Sequence, residues 1–518
     1  MERSAKYPWF TSGDLNAFFG LMLDNVTNLV ILTGILVGGF GFPREFVFSH
    51  MIPGTALGVL VGDLVYSWMA IRLAKRTGRQ DVTAMPLGLD TPSTIGIAVA
   101  VLGPVWLETK DPMITWQVGM ATMILIGLIK MAFSFTGDWV KRVVPQAGLL
   151  GSIAGIGIAL LGFLPLVNLF QMPVVGLVAL GLVLYSLVAH LRLPGGLPGA
   201  AVAVIASTIL YYILGATGVL GSGFEIALRP LAITAPIPSL GFFHGLGRAL
   251  DYLPIAIPFG LLTIIGGINV TESAKVAGDD YSTRNILLTE SVATLVAGVC
   301  GGVAQSTPYI GHPAYKAMGG RVGYTIATGL FIGLGGLFGF VSSIVQLLPA
   351  AAVAPILIFV GLEITAQTFG TCPVSHYPAV GLALLPSVAD LVLIQWNKLL
   401  AGLGAFGSLK GDLAAQYSTV LALGNGFILT AMLWGGLGAN LADRRIGKAA
   451  VFVAICAVFS LFGVIHSVDP NGKLYLPWLV DSDLPYRIAG GYASFSLMLL
   501  VLGSWPGSKE RERKDRAL

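Results

Sequence analysis

Charge is scarce in this sequence: Asp, Glu, Lys and Arg make up 11% of its 518 residues, against 55% hydrophobic ones. A soluble domain carries about a quarter charged residues, and a chain this apolar could not cover itself with polar side chains in water. The scarcity excludes a cytosolic enzyme, a nucleic-acid binder and a disordered tail protein. Cysteine is scarcer still. Cys300, Cys372 and Cys456 form an odd set with no CxxC spacing, which excludes a disulfide framework and a thiolate zinc site. No P-loop, HExxH or GxSxG pattern is present, and the six histidines (50, 190, 244, 312, 376 and 466) lie far apart. Neither a metal nor any other cofactor is therefore expected, and a membrane-embedded enzyme is the least favoured reading. The net charge of +4 is too small to name a partner.

Long apolar runs are what the sequence has in plenty. A helix crosses the hydrocarbon core with about 20 apolar residues. On that measure sixteen spans are expected, at 15–37, 51–71, 84–102, 114–135, 146–168, 173–190, 199–215, 254–276, 286–303, 306–318, 322–343, 348–368, 377–396, 416–440, 447–466 and 487–504. The runs do not alternate every second residue, which excludes a β-barrel. The first fourteen residues are polar and mixed, and the run behind them continues as a span, so no cleavable signal peptide is expected. With the N-terminus inside, twenty Lys and Arg fall in cytoplasmic loops and eight outside, Lys130 and Lys316 being unassigned. That bias places both termini in the cytoplasm of a cell bounded by a plasma or inner membrane.

A repeat lies beneath this pattern. Phe19-Gly20-Leu21-Met22, followed by Asn25-Val26-Thr27, has a counterpart in Phe259-Gly260-Leu261-Leu262, followed by Asn269-Val270-Thr271. Pro86-Leu87-Gly88-Leu89-Asp90-Thr91-Pro92 and Pro308-Tyr309-Ile310-Gly311-His312-Pro313 interrupt the third span of each half. Seven spans per half is an odd number, so the halves insert upside down relative to each other, as in secondary transporters. The broken segments are expected at 83–93 and 305–316. Non-helical backbone survives at that depth only where protein or trapped water satisfies it, and the short helices beyond would aim their N–H ends at a solute.

Intramembrane ionisable residues are costly and functional by default. Glu272 lies deep in the eighth span, flanked by Thr271 and Ser273, and Asp24 lies in the first. Asp90 and His312 lie in the broken segments, whereas Asp63, Glu290 and Asp390 read as partners or surface groups and not as substrate ligands. A buried carboxylate can carry a proton and accept from a solute N–H. Glu272 and His312 are therefore the expected proton-coupling residues. Glu272, Asp24, Asn25, Asp90, Thr91, Thr271, Thr307, Tyr309, Gly311 and His312 are the expected solute-binding set.

Glu272-Ser273-Ala274 resembles the Glu-Ser-Ile-Gly motif of the nucleobase–ascorbate transporters, also called nucleobase:cation symporter-2 or xanthine/uracil permeases. Ser306-Thr307-Pro308-Tyr309-Ile310-Gly311 is similar to their signature beginning Gln/Glu/Pro-Asn-x-Gly, with Tyr309 in place of the Asn. Asp24-Asn25 stands where they carry Gln-His, and Pro308 where the nucleobase carriers have a second polar ligand. The resemblance implies an all-α polytopic protein of 7+7 inverted repeats with two strand-and-half-helix segments. Its core domain would comprise 15–135 and 254–343. Its gate domain, often a homodimer surface, would comprise 146–215 and 348–440; residues 447–504 depart from the family's plan as an added C-terminal hydrophobic hairpin. It also implies that Glu272 holds the substrate. The expected function is symport of a nucleobase-like or other small heterocyclic solute with a proton, sodium being the other coupling ion. The alternative is an anion transporter or channel of the related sulfate-permease architecture, in which Glu272 would repel the anion unless Lys275 or Lys316 compensates.

Overall fold

The computed structural model describes residues 7–135, 143–189, 191, 193, 199–220, 238–309, 311–403, 409–470 and 472–504, without the side chains of a few helical residues, Asn269 and Glu272 among them. The chain opens with helices α1 (Gly13–Gly39) and α2 (Arg44–Thr77), then a short strand β1 (Leu87–Leu89) running into α3 (Thr91–Thr109), then α4 (Pro112–Phe133). Helices α5 (Gln146–Gln171), α6 (Pro173–Ser186), α7 (Gly199–Ala216) and the short α8 (Phe242–Asp251) follow. The pattern then returns: α9 (Leu253–Val276), α10 (Thr283–Val299), strand β2 (Ser306–Pro308), α11 (His312–Ala317) and α12 (Gly323–Leu337). The remainder is α13 (Phe340–Leu347), α14 (Ala350–Thr371), α15 (Tyr377–Leu403), α16 (Asp412–Gly424), α17 (Phe427–Ala442), α18 (Ile446–Leu461) and α19 (Leu484–Ser504).

Among the described residues, nine helices are long and apolar enough to cross a membrane, and eleven if each of two bent pairs is one span. Two expected spans are thereby corrected. The run 322–343 bends by 90° between α12 and α13, and 416–440 is part of two helices, α16 and α17, at 71°. At both corners a glycine sits in the left-handed region, Gly339 at φ 77° and Gly426 at φ 71°, where a side chain would be strained. The segments 84–102 and 306–318 each hold a three-residue strand followed by a helix.

The chain divides into two compact units. One comprises Met1–Gly137, Pro165–Leu250 and Phe259–Phe359, and the other Asp138–Leu164, Asp251–Pro258 and Val360–Leu518. The 146–215 segment is thus shared between the units, its residues up to Leu164 in the second. The ribbon and the helices around it lie in the first unit.

Local chemistry explains the element ends. Asp111 accepts from the amides of Met113 (2.8 Å) and Ile114 (3.1 Å) ahead of Pro112 and so caps α4. Asp14, on α1, accepts from the amides of Arg321 (2.8 Å) and Tyr324 (3.1 Å) and satisfies the start of α12. Close helix contact rests on small residues. A Cβ at Gly54 of α2 would run into the carbonyl of Cys300 and the amide of Gly302, so only glycine lets α2 meet the chain just after α10.

Candidate functional site

β1 and β2 pair antiparallel, Leu87 opposite Pro308, Gly88 opposite Thr307 and Leu89 opposite Ser306. The amides of Asp90 and Tyr309 extend the pairing, donating to Gln305 O (3.0 Å) and Pro86 O (2.9 Å). Because the strands are antiparallel, α3 and α11 leave the ribbon at opposite ends. Asp90 caps α3 by accepting from Ser93 N at 3.0 Å.

A two-stranded ribbon at membrane depth has two outer edges that no third strand covers, and lipid cannot satisfy them. Side chains do so here. On the β1 edge, Leu87 N donates to Asp63 Oδ1 (3.1 Å) and Leu89 N to Asn25 Oδ1 (3.1 Å), while Asn28 Nδ2 donates to Leu89 O (3.4 Å). On the β2 edge, Lys130 Nζ donates to Ser306 O at 2.7 Å, and Ser306 N donates to Thr294 Oγ1 at 3.4 Å. Pro308 has no N–H to satisfy, which is why proline fits this outer edge.

The expected site residues divide into two groups. Asp24, Asp90, Thr91, Thr307, Tyr309 and Gly311 are half-buried on or beside the ribbon. Asp24 Oδ2 is buried with no hydrogen-bond partner, and a Cβ at Gly88 would lie 3.2 Å from it. Glycine at 88 therefore keeps the space between this carboxylate and the strand open. A Cβ at Gly311 would meet the ring of Tyr309 (2.6 Å), which stacks at 6.1 Å on Tyr315. Thr307 Oγ1 donates to Glu290 Oε2 at 3.3 Å.

The other residues serve the frame. Asn25 spends both ends on backbone, accepting from Leu89 N and donating to Leu21 O at 3.0 Å. Thr271 donates to Gly267 O in its own helix. His312 is buried, its Nε2 3.2 Å from Thr83 O and 3.3 Å from Asp279 Oδ2. Lys316 pairs with Asp279 at 2.8 Å, and Lys275 with Asp280 at 3.4 Å on the exposed surface, so neither lysine is placed to offset charge at the ribbon. Glu272 belongs to α9, but its side chain lies outside the described residues.

Lys130 carries no role expected from the sequence, and Asp63 and Glu290 are expected there as partners or surface groups and not as solute ligands. Lys130 and Glu290 are fully buried, 3.8 Å apart, and Gln305 bridges from Lys130 (3.5 Å) to Asp90 Oδ2 (3.3 Å). The signal was available: a lysine inside an apolar helix demands a partner.

No family model and no curated protein matches the chain. Among solved structures it is similar to the transmembrane domain of a cyanobacterial bicarbonate transporter, BicA, at 17% identity over 75% of this chain and 96% of that one, with TM-score 0.51. It is also similar to SLC26A9, at 12% identity over 82% of this chain and 65% of that one, with TM-score 0.50. The nucleobase–ascorbate resemblance thus rests on the motifs alone. The chain is an integral membrane protein with the inverted-repeat fold of these transporters.

Proposed function

We propose that the chain is a secondary transporter carrying a small anion of the bicarbonate class together with a cation, with the β1–β2 ribbon as the binding floor. The observation that carries this reading is the buried, unpartnered Oδ2 of Asp24 beside the open backbone of Gly88. A carboxylate so placed requires a proton or a metal cation such as sodium. Asp24, Asp63 and Asp90 stand around the ribbon, and the lysine placed there, Lys130, is taken by Glu290 and Ser306 O. An anion entering alone would meet uncompensated negative charge. An anion entering with a cation on Asp24 would not. The likeness to BicA, a bicarbonate transporter, supports the anion class. The core and gate division and the cytoplasmic termini read from the sequence belong to this proposal.

One observation favours a heterocyclic solute instead: the half-buried Tyr309 ring, stacked on Tyr315 and near Gly88 and Asp24, offers an aromatic face. Purified protein in liposomes separates the two. Cation-driven uptake of labelled bicarbonate, lost in Asp24→Asn, supports the anion reading. Cation-driven uptake of labelled uracil or xanthine that bicarbonate does not inhibit replaces it with the heterocycle reading. Uptake of none of these by folded protein overturns both.

A further inference from the structure

The surroundings of the Lys130 ammonium are those of a small cation site. Its Nζ lies 2.7 Å from Ser306 O, 3.3 Å from Thr294 Oγ1, 3.5 Å from Gln305 Oε1 and 3.8 Å from Glu290 Oε1. One carbonyl, one hydroxyl, one amide oxygen and one carboxylate form the kind of oxygen set that hard monovalent cations take. Each oxygen comes from a different position: β2 supplies the carbonyl, the turn before it the amide, and two residues one turn apart on α10 the hydroxyl and carboxylate. Lys130 and Glu290 are both fully buried, so bulk water and salt do not stand in for the charge. Beyond the four ligands, the titratable groups near the pair are Asp90, bonded to Gln305, and Tyr66, which donates to Ile286 O at 3.0 Å.

We propose that Lys130 is a tethered cation occupying a monovalent-cation site between α4, α10 and β2, and that removing its ammonium opens that site to a free ion of similar charge. The matching carboxylate of the other half, Asp63 on α2, has Leu87 N on Oδ1 and nothing on Oδ2. The built-in ammonium therefore makes the two halves of the ribbon unequal. This deepens the transport reading, because it assigns the second half a permanent cation and leaves exchangeable cations to the first. The site itself, however, stands on geometry that does not depend on what is transported.

The test uses the full-length purified protein and thermal melting at constant ionic strength, with choline chloride replaced by ammonium chloride, potassium chloride or sodium chloride. Lys130→Ala is expected to melt at least about 3 °C higher in 200 mM ammonium or potassium than in choline, by mass action on the folded state. The shift is read as the excess over wild type, so that a coupling cation at Asp24, common to both proteins, cancels. Glu290→Gln in the Lys130→Ala background is expected to abolish the excess. An equal response in wild type and Lys130→Ala, or an excess that survives Glu290→Gln, overturns the proposal. Should Lys130→Ala be unstable, its recovery in ammonium and not in choline is the same positive result. Loss in both salts, with Lys130→Ala/Glu290→Gln recovered, overturns it. These melts stand apart from the uptake assay: absence of bicarbonate transport by wild type sinks the functional reading and leaves the cation site standing.

Discussion

The two outer edges of the ribbon face one problem and solve it with different side chains. On β1 two amides donate to Asp63 and Asn25, and the Leu89 carbonyl accepts from Asn28. On β2 the Ser306 carbonyl accepts from the ammonium of Lys130 and the Ser306 amide donates to Thr294, while Pro308 removes a donor that would otherwise lie idle. The lesson is electrostatic. Both halves carry a buried acid on the second helix, Asp63 on α2 and Glu290 on α10, yet only Glu290 has a cation beside it among the described residues. The first half consequently holds the carboxylates with an unpartnered oxygen, Asp63 and Asp24, and that is where the cation of the proposed function would bind.

The comparison is broken most forcefully at Lys130. In choline buffer Lys130→Ala leaves Glu290 buried without its partner and is expected to cost about 3–5 kcal/mol. Removing both charges in Lys130→Met/Glu290→Gln should cost far less, as denaturant melts of the two proteins will show. On the opposite edge Asp63→Leu strips the acceptor from Leu87 N, at an expected cost of about 1–3 kcal/mol. Asp63→Asn keeps an acceptor oxygen and should stay within about 1 kcal/mol of wild type. A smaller loss in Asp63→Leu than in Asp63→Asn would show that the edge amide is not held as described. Pro308→Ala adds an amide to the β2 edge and releases unfolded-chain entropy, so it should destabilise by about 1–2 kcal/mol. The same change in an exposed turn would cost less, and melts of both variants measure the difference.

The smallest effect lies where the chain enters β1. Asp81 bonds Arg79 in two places, at 2.7 and 2.9 Å, and this guanidinium holds its carboxyl at about 2. Because the folded-state value lies below the ordinary one, the bond stabilises above about pH 4, and its contribution is lost as pH falls towards 2. The Asp81 side chain is 56% exposed, so solvent screening limits the gain to below about 0.5 kcal/mol. Asp81→Asn should flatten the acid limb of the melting-temperature profile only slightly. A large flattening would mean that Asp81 has partners beyond Arg79 and Lys316.

Much of the architecture was legible along the chain. Hydropathy located the long helices, and paired Pro-Gly interruptions located both strands of the ribbon, because lipid imposes one length on every crossing and tolerates irregular backbone at few places. The corners at Gly339 and Gly426 were hidden, since an apolar run looks alike whether it crosses straight or turns. Asp24 was visible as an intramembrane carboxylate and lies at the ribbon. His312 looked equally exceptional, yet it pairs with Asp279 and the Thr83 carbonyl. Its sequence neighbourhood says that it opens a short helix, not which side of that helix the ring will take. Asn25 and Thr271 read as solute ligands for the same reason, being polar residues at membrane depth whose backbone partners are not written beside them.

What composition and spacing determined by themselves is the solvent, the crossing segments and the place where each half breaks, since those follow from transfer free energy and from proline and glycine geometry. Which polar groups meet was decided only by the tertiary structure. Lys130 and Ser306 are 176 positions apart, as are Asn25 and Leu89 by 64. A buried donor must find its acceptor across that distance, and only the packed chain specifies where.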